Sequence, residues 1–403
     1  MERNFKLTDE TIIHEGRTLH RIQALVDLPQ HNVKAGDLGG FVEKEDNLRG
    51  DAWIFDNAMV YDNATVGGQA RVRDSARVYE DAGVYDKARV SHNAEIYGKA
   101  VVHQYATVGG SSRTYGHSQV YGAANVYDSA QVCGGAKVYG DSQVYGNAII
   151  HDDAEVFWDA HVYDNAQLYN NANVWGNAHV YGDAKIFGDA EIYGNVEIYD
   201  AAHVRDNTVV SGDAQVYGDA KISNKAHIYG QARVYNSAKV YGDARVYGKA
   251  EVYTNAQVYN SAEIYGEVWI YGNAHVYGNA KVYDNAHVYG DAQVASSAQV
   301  YDHAHVRDSA IVSNQAQVYG DAEISDGACI YGQARVYGRA EIYDLVEVYG
   351  SAQVYGRVKV YDKAQIFDNA RVCDDVCICG QAKIHGEAKV YGDTFIDGDK
   401  ELS

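Results

Sequence analysis

The chain of 403 residues contains 36 Tyr and 40 Gly but only 1 Pro and 2 Met, a bias that an ordinary mixed globular core does not produce. Its formal net charge of −21 at pH 7 argues against a phosphate-binding surface, so the sequence predicts no nucleic-acid partner. No apolar run approaches the roughly 20 residues that a membrane-spanning helix needs, and residues 1–20 carry no apolar signal region. These features predict a cytoplasmic protein without a membrane partner.

Residues 1–35 precede the repeat described below and are predicted to form an N-terminal cap. The segment from Thr11 to Leu25 favours a β-hairpin that turns at Glu15-Gly16. We expect this hairpin to pair with or cover the first coil of the repeat, because an open sheet edge is a template for unwanted pairing.

Residues 36–398 form one tandem repeat with a period of six, as in Ala-Lys-Val-Tyr-Gly-Asp at 238–243. From Ile54 to Ile396, every residue whose number is a multiple of six is Val, Ile or Leu, with the single exception of Thr114. Two positions before each of them the residue is Ala in 48 cases and otherwise Ser, Thr or Val. We name these two positions the aliphatic slot and the small slot. No residue is inserted or deleted between 54 and 396.

The period excludes an α-helix, because a six-residue step turns a helix by about 600° and scatters equivalent residues around its axis. On a β-strand, residues two and six apart share a side, so both slots point inward and the neighbours of the aliphatic residue point outward. The pair that follows, such as Gly242-Asp243, is typical of turns, because Gly, Asp and Asn tolerate positive φ and bond their own backbone. Each hexapeptide is therefore a short strand and a corner.

Strands this short must stack coil upon coil to bury an apolar face, which predicts a parallel β-solenoid. Three hexapeptides would make a triangular 18-residue coil, and five larger small-slot residues differ by multiples of 18: Val196, Val268, Val358, Val376 and Thr394. Val346 and Thr208 depart from this pattern. The repeat would give ~20 coils and a rod roughly 95 Å long at the usual strand spacing. Residues 399–403 are predicted to be a C-terminal tail.

The pattern small-x-aliphatic-x-x-x resembles the hexapeptide repeat of left-handed parallel β-helix proteins, best known from acyltransferases and acetyltransferases. Residues 33–48, VKAGDLGGFVEKEDNL, are similar to the start of YdcK-like hexapeptide proteins of bacteria and prophages, which are commonly labelled transferases. The resemblance implies an all-β, single-stranded, left-handed, triangular helix with three hexapeptides per coil. One departure is that Tyr usually follows the aliphatic residue here, where the family often has Gly, Ala or an acid.

Of the 36 tyrosines, 35 occupy the position directly after the aliphatic slot, and Tyr105 is the exception. We expect these rings to form ladders, each ring stacked on its equivalents one strand spacing above and below. One interpretation is that the ladders stiffen the solenoid and cover its backbone. The other is that they present an aromatic surface to another protomer, a protein or a glycan, because exposed aromatic residues mark interaction surfaces.

Four histidines are candidate catalytic bases: His161, His179, His287 and His305. They form two pairs at the outward position before the aliphatic slot. The members of each pair are three hexapeptides apart, so a coil of three hexapeptides would make them direct neighbours. In hexapeptide-repeat transferases the working histidine sits near a loop that leaves the coil, and the site lies between two subunits of a trimer. The absence of any insertion between 54 and 396 argues against a catalytic cleft here.

Opposite charges also occupy this outward position at residues one predicted coil apart, for example Arg233 and Glu251. Such exposed pairs indicate a solvated surface rather than a site.

The five cysteines favour reduced thiols over a disulfide framework. Cys377 and Cys379 flank Ile378, so both are expected on one outward face. These two residues are the best candidates for metal ligands. Cys373 and His385 belong to neighbouring hexapeptides and hence to other faces, so four convergent ligands are not expected. The sequence predicts no cofactor.

The leading hypothesis is a non-enzymatic rigid scaffold or assembly module, a homo-oligomer that is trimeric or joined end to end. The alternative is an acyl-CoA-dependent acyltransferase with its sites between the subunits of a trimer. A third possibility is a glycan-binding rod that uses the tyrosine rows. The repeat specifies the fold far more closely than it specifies any of these activities.

Overall fold

The computed structural model describes residues 3–403, which contain β-strands and two short 3-10 turns but no α-helix. No helix in this part of the chain is long and apolar enough to cross a membrane. The chain divides into two compact units, Met1–Asp200 and Ala201–Ser403, named here the N-terminal and C-terminal units. Each unit is a parallel β-solenoid with 18-residue coils and three sheets, so the predicted fold class is confirmed.

The N-terminal unit begins with strand β1 (Phe5–His14), strand β2 (Arg17–Ala24), a 3-10 turn (Pro29–His31), strand β3 (Leu38–Val42) and a second 3-10 turn (Glu45–Asn47). β1 and β2 form an antiparallel hairpin, and β2 pairs antiparallel with β3. β3 pairs in parallel with the repeat strand Met59–Val60, which joins the hairpin to the solenoid. The predicted hairpin at Glu15-Gly16 and its contact with the first coil are both confirmed.

The remaining strands of the N-terminal unit form three parallel faces. Face A continues from β3 with Met59–Val60, Arg77–Val78, Glu95–Ile96, Arg113–Thr114, Gln131–Val132, Ile149–Ile150, Gln167–Leu168 and Lys185–Ile186. Face B contains Trp53–Ile54, Arg71–Val72, Arg89–Val90, Thr107–Val108, Asn125–Val126, Gln143–Val144, His161–Val162, His179–Val180 and Glu197–Ile198. Face C contains Thr65–Val66, Gly83–Val84, Val101–Val102, Gln119–Val120, Lys137–Val138, Glu155–Val156, Asn173–Gly176 and Glu191–Gly194.

The C-terminal unit has the same organisation, with faces D, E and F. Face D contains His203–Val204, Lys221–Ile222, Lys239–Val240, Gln257–Val258, His275–Val276, Gln293–Val294, Ile311–Val312, Cys329–Ile330, Glu347–Val348, Gln365–Ile366, Lys383–Ile384 and Glu401–Leu402. Face E contains Gln215–Val216, Arg233–Val234, Glu251–Val252, Trp269–Ile270, His287–Val288, His305–Val306, Glu323–Ile324, Glu341–Ile342, Lys359–Val360, Cys377–Ile378 and Phe395–Ile396. Face F contains Val209–Gly212, His227–Ile228, Arg245–Val246, Glu263–Ile264, Lys281–Val282, Gln299–Val300, Gln317–Val318, Arg335–Gly338, Gln353–Gly356, Arg371–Val372 and Lys389–Val390. Glu401–Leu402, within the predicted tail, pairs in parallel with Lys383–Ile384.

The core of each unit consists of the aliphatic and small slots. Val162 and Ala160, for example, are both 0% exposed, as are nearly all their equivalents. The strands are short because only two residues of each hexapeptide extend before the chain turns, so the backbone hydrogen bonds run between coils. The amide of Trp53 donates to the carbonyl of Ala70 at 3.0 Å, and bonds of the same spacing recur along both units.

The corners place a Gly, Asp or Asn in the left-handed region, as the sequence predicts: Asp74 has φ 61° and Gly242 has φ 77°. The expected hydrogen bond to the residue's own backbone is wrong, however. The carboxylate of Asp74 instead accepts the amide of His92 at 2.8 Å, one coil later, and Asp362 accepts the amide of Gly380 at 2.9 Å. The acidic corner residues therefore join one coil to the next.

Three corner glycines that precede a Val in the small slot have larger φ angles than the other corner glycines. Val follows Gly194, Gly266 and Gly356 by two positions, and these glycines have φ of 93°, 88° and 91°. The other corner glycines of the repeat have φ between 61° and 77°. The larger φ is confined to corners with Gly, which lacks a Cβ, because Asp344 and Asp374 also precede a Val but keep φ of 61° and 69°.

A small apolar cluster joins the hairpin to the first coils. Leu19 of β2, Phe41 of β3 and Tyr61 of the repeat are each at most 3% exposed and pack together. Arg17 adds an ion pair to the Asp62 carboxylate at 2.7 Å. The hairpin thus buries apolar surface at the start of the solenoid and occupies the edge of face A.

Candidate functional site

Aromatic ladders run along the faces of both units, as the sequence predicts. On face F, the rings of Tyr229, Tyr247, Tyr265, Tyr283, Tyr301, Tyr319, Tyr337 and Tyr355 stack in one column with centroid separations of 4.6–5.0 Å. The stacked rings are nearly parallel, because the solenoid repeats each corner at the strand spacing with the same orientation. Most of these rings are half-buried, so they cover the strands and present only an edge to solvent.

The tyrosine hydroxyl groups bond to the next coil, a feature that the sequence analysis missed. The Tyr139 hydroxyl donates to Glu155 at 2.9 Å and the Tyr235 hydroxyl donates to Glu251 at 2.9 Å, in each case to the following strand of the same face. Gln accepts in the same way elsewhere, as at Tyr127 with Gln143. The recurrence of Glu or Gln at this fixed distance after Tyr is the sequence signal that predicts the bond.

Burial moves the pKa of the ladder tyrosines further above the physiological pH range. It is the main cause that raises the pKa of Tyr163 and of Tyr181 to about 12, and neighbouring rings and carboxylates add to it. A neutral phenol can donate a hydrogen bond, whereas a phenolate cannot. The ladders therefore remain uncharged rows of donors throughout the physiological pH range.

Trp158 departs from the half-buried pattern. It follows Phe157 on face C and occupies the left-handed corner position, with φ 58°. Its side chain is 59% exposed and touches the Phe157 ring edge-on, with 5.7 Å between centroids. The corresponding corner positions elsewhere in residues 3–403 hold Gly, Asp, Asn and a few other residues, but no second Trp, Tyr or Phe.

The rings beside Trp158 form the aromatic column of face C. It consists of His103, Tyr121, Tyr139, Phe157, Trp175 and Tyr193, stacked with 4.8–5.4 Å between centroids. Asp159 follows Trp158 at the same corner and Asp141 occupies the equivalent position one coil earlier, and both are exposed. The amide of Asp141 donates to the Trp158 carbonyl at 2.9 Å, which fixes this corner in place. We name Trp158, Phe157, Trp175 and the two acids the Trp158 patch.

The structure brings both predicted histidine pairs together. His161 stacks on His179 on face B, and His287 stacks on His305 on face E, each with 4.7 Å between ring centroids. Burial, followed by the charge of the paired histidine, lowers the pKa of His161 and of His287. Both pairs lie on regular strands of the repeat, and a role as catalytic bases stays a prediction.

The charged ladders also lie where the sequence places them. Arg233 is 3.4 Å from Glu251, and Glu263 lies between Arg245 at 3.7 Å and Lys281 at 2.8 Å. These are partly exposed pairs, each of which contributes about 0–1 kcal/mol to stability.

The cysteine candidates are separated as expected, with one correction. Cys377 and Cys379 lie on face E, whereas Cys373 lies at face F and His385 at face D. Cys379 is not on the outward surface: it is 4% exposed, and its Sγ lies 3.3 Å from the Asp397 carboxylate. Burial is the main cause that raises the pKa of this thiol, which disfavours the thiolate that a metal needs. Within residues 3–403, no three His, Cys, Asp or Glu side chains form a group that could hold a metal ion.

Comparison with known proteins concerns the repeat itself. No curated protein is significantly similar to the chain. A family model described as the YdcK beta solenoid repeat matches residues 52–68, which cover one strand each of faces B, A and C. The matched segment is therefore almost one coil of the N-terminal unit. The resemblance found in the sequence is confirmed at this level: the chain carries a YdcK-type repeat and folds as the parallel β-solenoid that such a repeat predicts.

Proposed function

We propose that this protein is a scaffold that binds a protein partner through the Trp158 patch. The scaffold part rests on the regular repeat, which keeps its register from 54 to 396, and on the backbone hydrogen bonds that join successive coils within each unit. Such a backbone holds side chains at fixed spacings along a face. The aromatic ladders then supply rows of rigid rings on that framework.

The exposed Trp at a left-handed corner is the observation that carries the proposal. A bulky residue in this backbone region is strained by about 1–2 kcal/mol, and Asn, Asp or Gly would relieve the strain. Burial of apolar surface does not compensate for this backbone strain, because Trp158 is 59% exposed. A strained residue that contributes little to the core indicates a functional surface.

The chemistry of the patch favours a protein partner with an apolar pocket beside basic residues. Trp and Tyr are enriched at protein interfaces and supply large contact areas from rigid side chains. Asp141 and Asp159 would pair with cations at the rim of that pocket. A second copy of the chain fits less well, because its net charge of −21 opposes self-association.

A photo-crosslinking residue at position 158, in the full chain expressed in the source cells, tests the proposal. We expect one discrete crosslinked protein, whose yield falls when unlabelled wild-type chain is added as a competitor. Trp158→Asn should fail to compete, whereas Trp269→Gln should compete like the wild type. Trp269 is the matched control because it is also exposed, at 44%, but lies on a regular strand of face E.

The melting temperature of the Trp158→Asn variant serves as the control for correct folding, and it should be unchanged or higher. Asn already occupies the same corner position at Asn170 and Asn236. No crosslinked product would refute the proposal. A product containing only two copies of this chain would assign the patch to self-association instead, and a crosslinked glycan would assign it to carbohydrate binding.

A further inference from the structure

A cavity of about 510 Å³ lies in the N-terminal unit where the 3-10 turn Pro29–His31 faces the strands of face B. Its wall includes His31, Phe55, Arg71, Arg73, Arg89 and Ser91. Cavities of this size hold small organic molecules, whereas one water molecule occupies only about 30 Å³ of liquid. The site is separate from the Trp158 patch, so its role does not depend on the proposed function.

Three arginines line this cavity, of which Arg71 is half-buried and Arg73 and Arg89 are exposed. Arg71 and Arg89 lie directly beside each other on neighbouring strands, and the next residues in the row are Trp53 and Thr107. Like charges on adjacent strands repel each other, and no carboxylate separates them in this row. On face A, by contrast, Glu95 lies between Arg77 and Arg113. The Arg71–Arg89 arrangement is therefore stabilised when an anion lies between the two charges.

The two carboxylates in the wall do not neutralise all of this charge. Asp56 accepts the amide of Asp74 at 3.2 Å, and Asp74 accepts the amide of His92 at 2.8 Å, so both belong to the chain of corner bonds. Asp74 also lies 3.8 Å from Arg73. The guanidinium of Arg71 donates to the carbonyl of Gln30, and that of Arg89 has no ion pair or hydrogen-bond partner within residues 3–403.

His31 forms part of the cavity wall and is itself held by the backbone. It is 6% exposed, and its Nε2 donates to the carbonyl of Asp51 at 2.5 Å. Its Nδ1 is buried without any hydrogen-bond partner. With its Nε2–H donating, Nδ1 is an acceptor and is shielded from the cavity, so it makes no contact with an anion, which the arginines alone would hold.

Phe55 supplies an apolar side to the cavity. Its ring packs edge-on against the ring of His31, with 6.2 Å between the ring centroids. Arginine side chains bind carboxylate and phosphate groups through paired N–H donors. We propose that the cavity binds a small organic anion, with its carboxylate or phosphate on Arg71 and Arg89 and its apolar part against Phe55. The total charge of the chain repels long polyanions, but this pocket has a local excess of positive charge.

Isothermal titration of the full chain with phenyl phosphate, benzoate and inorganic phosphate tests the site and distinguishes its two anion classes. We expect phenyl phosphate or benzoate to bind at least tenfold more tightly than inorganic phosphate, because only these two place a ring against Phe55. Arg89→Gln should weaken that binding at least tenfold. Lys239→Gln, which removes one charge from the exposed like-charge pair Lys221–Lys239 on face D, should leave it within twofold.

A second measurement uses the unaltered protein: titration with the tighter ligand should shift the NMR signals of the Arg71 and Arg89 side-chain N–H groups. Absence of binding by all three anions would overturn the proposal, and so would equal affinity of the wild type and Arg89→Gln. Equal affinity for inorganic phosphate and phenyl phosphate would overturn the role of Phe55 and hence the assignment to an organic anion.

Discussion

Replacing Thr114 by Val should stabilise the N-terminal unit. Thr114 is the only polar residue in the aliphatic slots from 54 to 396, and its side chain is 0% exposed. Its hydroxyl oxygen has no hydrogen-bond partner within residues 3–403. Val has nearly the same shape and lacks the hydroxyl, so the change removes a buried group that costs about 1–3 kcal/mol when unpaired. We expect the free energy of unfolding to rise by about that amount.

Ser112→Ala is the matched control, two positions earlier in the same hexapeptide. Ser112 is also 0% exposed, but its hydroxyl donates to the carbonyl of Gly109 at 2.7 Å. Its loss should lower the free energy of unfolding by about 0.5–1.5 kcal/mol, the usual contribution of one such bond. Two buried hydroxyls in one coil should thus give changes of opposite sign, because only one of them has a partner.

Urea unfolding followed by circular dichroism measures both effects. Neighbouring coils of a solenoid unfold together, so the change should appear as a shift of the midpoint with an unchanged slope. The reasoning is refuted if Thr114→Val is no more stable than the wild type, or if both variants shift the midpoint in the same direction.

Two further predictions concern Tyr61 and the corner glycines. Burial is the main cause that raises the pKa of Tyr61 to about 12, above its unfolded value of about 10, so its contribution to stability is full below pH 10 and is lost as pH rises toward 12. Between pH 10 and 11, urea unfolding should show the wild type losing about 1 kcal/mol more than Tyr61→Phe, and equal losses would contradict the assignment. Gly110→Ala would place a Cβ 2.5 Å from the Asp128 amide nitrogen, whereas Gly392→Ala meets nothing within 4 Å. Gly392→Ala should therefore cost only the left-handed penalty of about 1–2 kcal/mol, and thermal melting should show a larger loss for Gly110→Ala.

The sequence predicts the fold closely because one rule governs most of the chain. The strict period of the aliphatic slot sets the strand positions, and the larger small-slot residues indicate a coil of three hexapeptides. Partners one coil apart then follow by arithmetic, as for His161 with His179 and Arg233 with Glu251. These predictions need only the register of the repeat.

Interactions that depend on depth or on the direction of a side chain were harder to predict. The contact of buried Cys379 with Asp397 and the hydrogen bond that the His92 amide donates to the Asp74 carboxylate depend on how far each corner leans toward the next coil, which a period does not give. The cavity at His31 was out of reach for another reason. It forms where the non-repeating 3-10 turn lies over face B, and nothing in the register fixes that placement.

The coil of three hexapeptides also sets which rearrangements of the gene leave the protein intact. Gain or loss of one whole coil inside a unit returns every later residue to its own face. Loss of a single hexapeptide keeps the core pattern but moves each later residue to the next face. If residues 73–78 were removed, Arg89 would lie beside Thr65 instead of Arg71, and the arginine pair would be lost without any defect in the core. Recombination between repeats can therefore change the length freely only in whole coils, whereas a shift by a single hexapeptide redistributes the surface chemistry.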